Sequence, residues 1–322
     1  MSKLSIRAFT EADSDDWDRF CADSVNATFL HTRRFLSYHG ERFRDCSCIV
    51  ENEGGKWVGV LPAAEAPGQP DCVVSHPGST YGGLIHAGRL FGSESIQALA
   101  AIANHFSHQG FRTFRYKAVP LIYHRCPAQD DLYALFRLGG LRFRCDISST
   151  IDLDARRPVS SRRTRNLRKA ARAGLTVREG IQWLEQFWTV LSSTLLRRHG
   201  TPPVHTLDQM RELVTRFPTQ IRLACAILDG QIVAGTLLFC TDTVAHAQYI
   251  AANEVGHGIG ALDAVFEHCL SRAANDYRYF DFGISNTDEG LVLNDGLYRF
   301  KTEFGGGGTT HDFFELALPP LT

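Results

Sequence analysis

No Cys-x-x-Cys pair occurs anywhere in the sequence, and no zinc-site spacing is present. The nine cysteines are odd in number and scattered at Cys21, Cys46, Cys48, Cys72, Cys126, Cys145, Cys225, Cys240 and Cys269. Most lie inside apolar patterns, which predicts small buried residues in a reducing compartment and no disulfide framework. Cys46 and Cys48 share one strand face without a second pair, so no metal is expected. No stretch reaches 18 consecutive apolar residues, and the first twenty residues hold acids and no long apolar run. Neither a membrane span nor a secretory leader is therefore expected, and the chain reads as soluble and cytoplasmic. A Gly-Lys-Ser/Thr phosphate loop, the GxGxxG fingerprint and the glycine pattern of a nucleophile elbow are all missing. These absences weigh against a nucleoside-triphosphatase, a dinucleotide-dependent enzyme and covalent serine or cysteine catalysis. An excess of charge of either sign is also lacking, since the formal net charge is -1.

What is present is a chain of 322 residues with 44% hydrophobic content, enough for a full core and, by length, for two domains. Alternation and turn chemistry predict a strand over 5–9, helices over 13–23 and 32–38, and a hairpin of 45–51 with 56–63 across Asn52–Gly55. A helix over 93–106, a strand over 111–117, a helix over 130–138 and a strand over 144–153 follow. The second half carries helices over 181–196 and 207–217 and a hairpin of 221–228 with 231–240 across Asp229–Gly230. After it come a strand over 245–252, a glycine loop, a helix over 261–274 and strands over 279–283 and 312–318. Hairpin, third strand, glycine loop, helix and strand recur in both halves. This order predicts two similar α/β domains with mixed sheets, residues 1–150 and 151–322.

The stretch 156–172, RRPVSSRRTRNLRKAAR, holds eight basic residues and no acid. Ser160 or Ser161 can cap a helix that ends near Gly174, with Leu167, Ala170 and Ala171 as its apolar stripe. Like charges three or four apart repel along such a helix, so an anionic partner is expected there. The glycines Gly256, Gly258 and Gly260, with His257 between them, stand where a strand turns into a helix. Free backbone N–H groups at such a turn can hold phosphate. On the preceding strand, His246, Gln248, Ile250 and Ala252 are expected on one face and Ala247, Tyr249 and Ala251 on the other. Around Gly82 and Gly83, the hydroxyls of Ser79, Thr80 and Tyr81 could serve a substrate. Asp281 interrupts an apolar strand and needs a cation or a sheet end. Lys301, between Phe300 and Phe304, can be held by an aromatic shell and pointed at a cleft. The candidate bases are His205, His257, His199, Asp281 and Glu303, and Tyr249 is a candidate proton donor.

The segments RRTRNLRKAARAGL, AHAQYIAAN, YFDFGISN and GLYRFKTEFGGG resemble the FemAB-like branch of the GNAT acyltransferase superfamily, strongly in the second half and loosely in the first. The resemblance implies tandem GNAT-like domains, with the chemistry mainly in the second, and an N-acyltransferase. It places Lys301 as the lysine that steadies the transferring carbonyl or acceptor phosphates, and Arg163, Arg168 and Lys169 in the family's basic run. It implies Gly256, His257, Gly258 and Gly260 as the donor loop, although Asn253 and Val255 stand where an Arg or Gln is usual. With the candidates read from the residues themselves, the predicted catalytic set is Lys301, Asp281, His205 and Tyr249. The implied donor is an acyl-CoA, acetyl-CoA foremost, without a metal. The implied acceptor is the amine of an amino sugar or nucleotide-linked amino sugar in surface polysaccharide biosynthesis. Two alternatives stand beside it, an aminoacyl-tRNA-dependent transferase of the peptidoglycan-bridge type and a non-catalytic RNA-binding module.

Overall fold

The structure, a computed structural model, describes residues 4–320, the His199 side chain excepted. Its elements in chain order begin with β1 (Ser5–Ala8), α1 (Ser14–Asp23), α2 (Arg33–Leu36), β2 (Cys48–Glu51), β3 (Trp57–Leu61), β4 (Ala64–Ala66), β5 (Gln69–Val74) and β6 (Ile85–His86). Next come α3 (Ser93–His108), β7 (Thr113–Lys117), α4 (Asp130–Arg137), β8 (Leu141–Asp152), α5 (Ser161–Arg172), β9 (Thr176–Glu179), α6 (Leu184–His199) and α7 (Leu207–Arg216). The chain continues through β10 (Ile221–Leu228), β11 (Gln231–Cys240), β12 (Val244–Ala252), α8 (Glu254–Ile259), α9 (Ala261–Ala273), β13 (Tyr279–Ile284), α10 (Asp295–Thr302) and β14 (Gly307–Ala317). Two compact units result among the described residues, one of residues 4–146, 287–292 and 310–320 and the other of residues 147–286 and 293–309.

In the first unit β1, β2, β3 and β6 form an antiparallel sheet, and β4, β5, β7 and β14 a second, mixed run in which only β5 and β7 are parallel. Helix α3 presents Ala98, Leu99, Ile102, Ala103 and Phe106 at helical spacing to a core that includes Leu61, Val73, Phe114 and Tyr116. The buried Tyr116 hydroxyl donates to Asp131 at 2.5 Å and accepts from the Leu84 N–H at 2.7 Å, so the one polar atom among these rings is satisfied.

In the second unit the strand order is β8-β13-β12-β11-β10-β9, antiparallel throughout except for the β12–β13 pair. The β10–β11 hairpin closes through Asp229 and Gly230 at φ 48° and 76°, both in the left-handed region that a two-residue turn requires. Helix α9 covers one sheet face with Val265, Phe266, Cys269, Leu270 and Ala273, and α6 covers the other, where Phe187 leaves no room for a side chain at Gly235. Helix α5 starts as its sequence predicts, with the Ser160 side chain accepting from the Arg163 N–H, and is followed by Gly174 at φ 72°.

The expected glycine loop is different. Residues 254–259 form the short helix α8, because Asn253 caps it by accepting from the Gly256 N–H at 2.8 Å. It ends on Gly260 at φ 76°, which turns the chain into α9. Gly256 is there for close approach, since a Cβ would lie 2.2 Å from the Val233 carbonyl oxygen, whereas nothing lies within 4 Å of one at Gly258. Gly256→Ala should therefore lose about 1–3 kcal/mol of stability by overpacking. Gly258→Ala should gain up to about 1 kcal/mol of helix propensity. Urea unfolding of the two variants beside the parent checks both signs.

Candidate active site

The functional geometry begins with one extra residue in β12. Along β11 the partners run Phe239 to His246, Leu238 to Ala247 and Leu237 to Tyr249, so Gln248 has no counterpart and forms a bulge. Phe239 and Leu237 lie two apart and share a face. Their partners His246 and Tyr249 therefore share it too, although they are three residues apart. The expected assignment of His246 and Tyr249 to opposite faces is corrected by this bulge. Both belong to the α6 side, where the Tyr249 ring packs on Trp188 at 5.3 Å and the His205 ring approaches Phe239.

The parallel ladder between β12 and β13 pairs Val244 with Tyr279, Ala245 with Phe280 and His246 with Asp281, and stops. Both strands continue, β12 to Ala252 and β13 to Ile284, without pairing further. Against β8, β13 is itself irregular between Asp281 and Ile284, where Gly283 takes φ 75°. The two strands thus part at His246 and Asp281.

Asp281 is fully buried, so its carboxylate must be met by donors. Ser148 and Thr150 donate to Oδ1, the latter at 3.0 Å, and His246 Nδ1 donates to Oδ2 at 2.7 Å. That bond fixes the imidazole orientation and leaves the Nε2 lone pair as the proton acceptor. A Cβ at position 283 would sit 3.4 Å from His246 Cε1, so the glycine keeps the ring edge open. His246 was not among the residues singled out for catalysis from the sequence. Its signal was a polar residue on an otherwise apolar strand.

Lys301 lies on α10, not on a strand, and is buried, while the Phe300 and Phe304 rings pack edge-on against each other at 5.5 Å. Its Nζ donates to the carbonyls of Gly283 at 2.9 Å and Ile284 at 2.6 Å, which leaves one of three donors. Burial pushes the ammonium down to about 8, with nearby Asp281 acting in the opposite sense. Tyr249 Oη lies 2.6 Å from His205 Nδ1 and accepts from the His205 N–H at 3.2 Å. Burial pushes this phenol up to about 12, so it keeps its proton at neutral pH.

The basic helix divides into two populations. Arg163 is buried, ion-paired with Asp263 at 2.8 Å and Glu303 at 3.1 Å, and lies 4.7 Å from the Phe300 ring centroid. It ties α5 to α9 and the end of α10. Arg162, Arg165, Arg168, Lys169 and Arg172 are exposed and make no ion pair among the described residues. Beside α8, His257 is exposed with its Nε2 2.7 Å from an Arg198 nitrogen, and Arg197 pairs with Glu254 at 2.9 Å. Burial, then Arg198 and Arg197, lower the His257 pKa. Gly260 backs onto the Asn166 carbonyl of α5, 3.0 Å from where a Cβ would be. The structure thus gathers Lys301, Asp281 and His246 at one point, and His205 with Tyr249 further along the same strand face. Glu303 serves Arg163, and the His199 side chain lies outside the described residues. In the first unit, Tyr81 is buried and donates to Thr28 at 3.2 Å, and Ser79 is buried as well.

Among the described residues no group of three or more His, Cys, Asp or Glu could hold a metal ion, and no helix is long and apolar enough to cross a membrane. A family model described as an acetyltransferase (GNAT) domain matches residues 154–301. The crystal structure of FemX superposes with a TM-score of 0.67 at 13% identity, over 98% of this chain and 97% of that one. The structure of L-PGS from Bacillus licheniformis gives 0.64 at 12%, over 96% and 93%. A tandem GNAT protein from the clavulanic acid biosynthesis pathway gives 0.52 at 14%, over the whole of both chains. No curated protein matches in sequence. The chain accordingly has an α/β fold with mixed sheets of the GNAT type and FemAB-like structural neighbours.

Arg163→Met should leave Asp263 buried without its partner and cost about 3–5 kcal/mol, while the exposed Arg168→Met stays within about 0.5 kcal/mol. Urea midpoints separate the two. Lys301 yields a pH dependence of the opposite sign to that of a lysine gaining an ion pair. Its folded pKa of about 8 lies below the 10.5 of the free side chain. Between those values the unfolded chain binds more protons, so stability rises with pH. The parent should gain about 3 kcal/mol on Lys301→Met across that window, at roughly 1.4 kcal/mol per pK unit. Parallel denaturation series at pH 7 and pH 10.5 measure it.

Proposed function

We propose that this protein is an N-acyltransferase that moves an acyl group directly from an acyl-CoA, acetyl-CoA foremost, to the amine of an amino sugar. The observation that carries the reading is the His246–Asp281 pair at the point where β12 and β13 part. An acyl transfer to nitrogen needs an acceptor for the amine proton, a place for the thioester carbonyl and donors for the developing oxyanion. We assign the first role to His246 Nε2, held in its tautomer by Asp281. As the amine nitrogen bonds to the carbonyl carbon, its proton passes to His246. The Gln248 bulge and the remaining donor of Lys301 are assigned to the oxyanion, since a bulge leaves backbone groups outside the ladder. When the carbon–sulfur bond breaks, Tyr249 supplies a proton to the thiolate. The phosphates of the donor are assigned to the exposed cations of α5 and to the α8 region with Gly256, His257, Gly258 and Gly260. In this reading residues 1–150 and 151–322 are tandem GNAT-like domains and the second holds the chemistry.

One observation favours a second donor. Five unpaired cations on one helix suit a longer phosphate backbone, so an aminoacyl-tRNA is the alternative. The same dyad would serve either donor.

The test is transfer of radiolabelled acetyl from acetyl-CoA to a panel of amino sugars, with charged tRNAs in parallel. His246→Asn, whose amide can keep the donor to Asp281, should lower kcat on the order of 100-fold or more, the range for loss of a general base, with little change in melting temperature. Transfer that survives this substitution undiminished would remove the dyad from the mechanism. Transfer from charged tRNA alone, steeply weakened by salt, would select the alternative donor.

A further inference from the structure

We propose that the first unit holds a separate ligand site, a cleft that takes a small hydrophilic molecule carrying a protonated amine. The cleft has a volume of about 590 Å³, within the range of small-molecule sites, and opens beside α1 and α2. Its walls carry four carboxylates, Glu11, Asp15, Asp18 and Asp45, against two guanidinium groups, Arg33 and Arg34, a balance of -2 that disfavours an anion. Arg33 is turned inward. It pairs with Asp45, donates to Ser47 Oγ at 3.1 Å and lies 3.7 Å over the Phe9 ring, so Asp45 is already neutralised. Asp18 accepts from the backbone N–H groups of Arg33 at 2.5 Å and Arg34 at 3.2 Å, which fixes the start of α2 at the cleft wall. Glu11 and Asp15 stay exposed on the rim, where an ammonium can reach them.

An independent feature lies in the floor. His76 lines the same cleft, is 6% exposed, and its buried Nδ1 has no hydrogen-bond partner. Its backbone stands at φ 58°, a left-handed conformation that a residue with a side chain holds only when its surroundings impose it, as at ligand clamps. The surroundings are visible: the ring stacks on His39 at 5.1 Å and meets Phe43 edge-on at 5.5 Å. A Cβ on Gly78 would come within 2.4 Å of His39 and displace the stack. Burial, then His39 and Lys117, push the His76 imidazole down to about 3, so it is a neutral hydrogen-bonding group. Carboxylates at the rim and a neutral imidazole in the floor match a molecule with an amine at one end and hydroxyls at the other.

The probe is glucosamine, titrated calorimetrically into the full chain at pH 7 with no acyl donor present, beside N-acetylglucosamine and glucose. Because no transfer is read, this outcome is independent of the fate of the acyltransferase reading. Glucosamine should bind at least about 10-fold more tightly than either control, one charge-assisted contact being worth roughly that factor. Asp15→Asn should remove most of the difference. His76→Asn, which keeps a residue tolerant of positive φ, should weaken glucosamine about 10-fold. Equal binding of the three sugars, no binding of glucosamine, or indifference to Asp15→Asn would each overturn the proposal. If His76→Asn fails to fold, Asp15→Asn alone decides.

Discussion

A carboxylate in the middle of a sheet, with no water in reach, must find donors on every side or cease to be a carboxylate. Asp281 is that group here, and the local architecture follows from it. Ser148 and Thr150 stand opposite it on β8, and His246 stands beside it on β12. Those bonds fix the last rung of the parallel ladder. Beyond the rung the β13 backbone is diverted through Gly283, and the carbonyls of Gly283 and Ile284 are taken up by Lys301. The irregular stretch is therefore satisfied by a side chain in place of ladder partners. Removing Asp281 would disturb the sheet, the imidazole and the lysine together.

The same economy of charge governs the other side of the unit. Arg163 lies under two aromatic rings with two carboxylates on it, so one residue of a very basic stretch holds the helix to the fold and the others are left outside. Lys117 in the first unit repeats the device seen at Lys301, donating to the carbonyls of His76 and Ser79 next to another positive-φ residue. Each of these two lysines supports irregular backbone.

Much of the fold was legible from local signals. Ser160 and Gly174 mark the ends of α5, Asp229–Gly230 marks the hairpin, and the apolar spacing of α9 marks its buried face, because each depends on residues within a turn or two. Asp281 and Lys301 were legible as anomalies, a charge and a cation set among aromatic residues. The pairing of Asp281 with His246 spans 35 positions and depends on a register that no local pattern encodes. The bulge was hidden for a similar reason: one additional residue reverses the alternation of β12, and Gln248 has no composition signal of its own. The glycines 256–260 were read as an open loop because glycine is poor in helices, yet the Asn253 cap and the close approach to Val233 outweigh that propensity in α8.

The anchoring of α5 through Arg163 also determines how the protein responds to ionic strength. Exposed cations at Arg162, Arg165, Arg168, Lys169 and Arg172 repel one another along a helix of 12 residues, and tertiary contacts hold them in place. Added salt screens that repulsion over about 10 Å at 0.1 M, which stabilises the unliganded chain. It also weakens the attraction of the array for the phosphates of the donor proposed above. The empty and occupied states therefore move in opposite directions, and the effect of the ligand on thermal stability is greatest in dilute buffer.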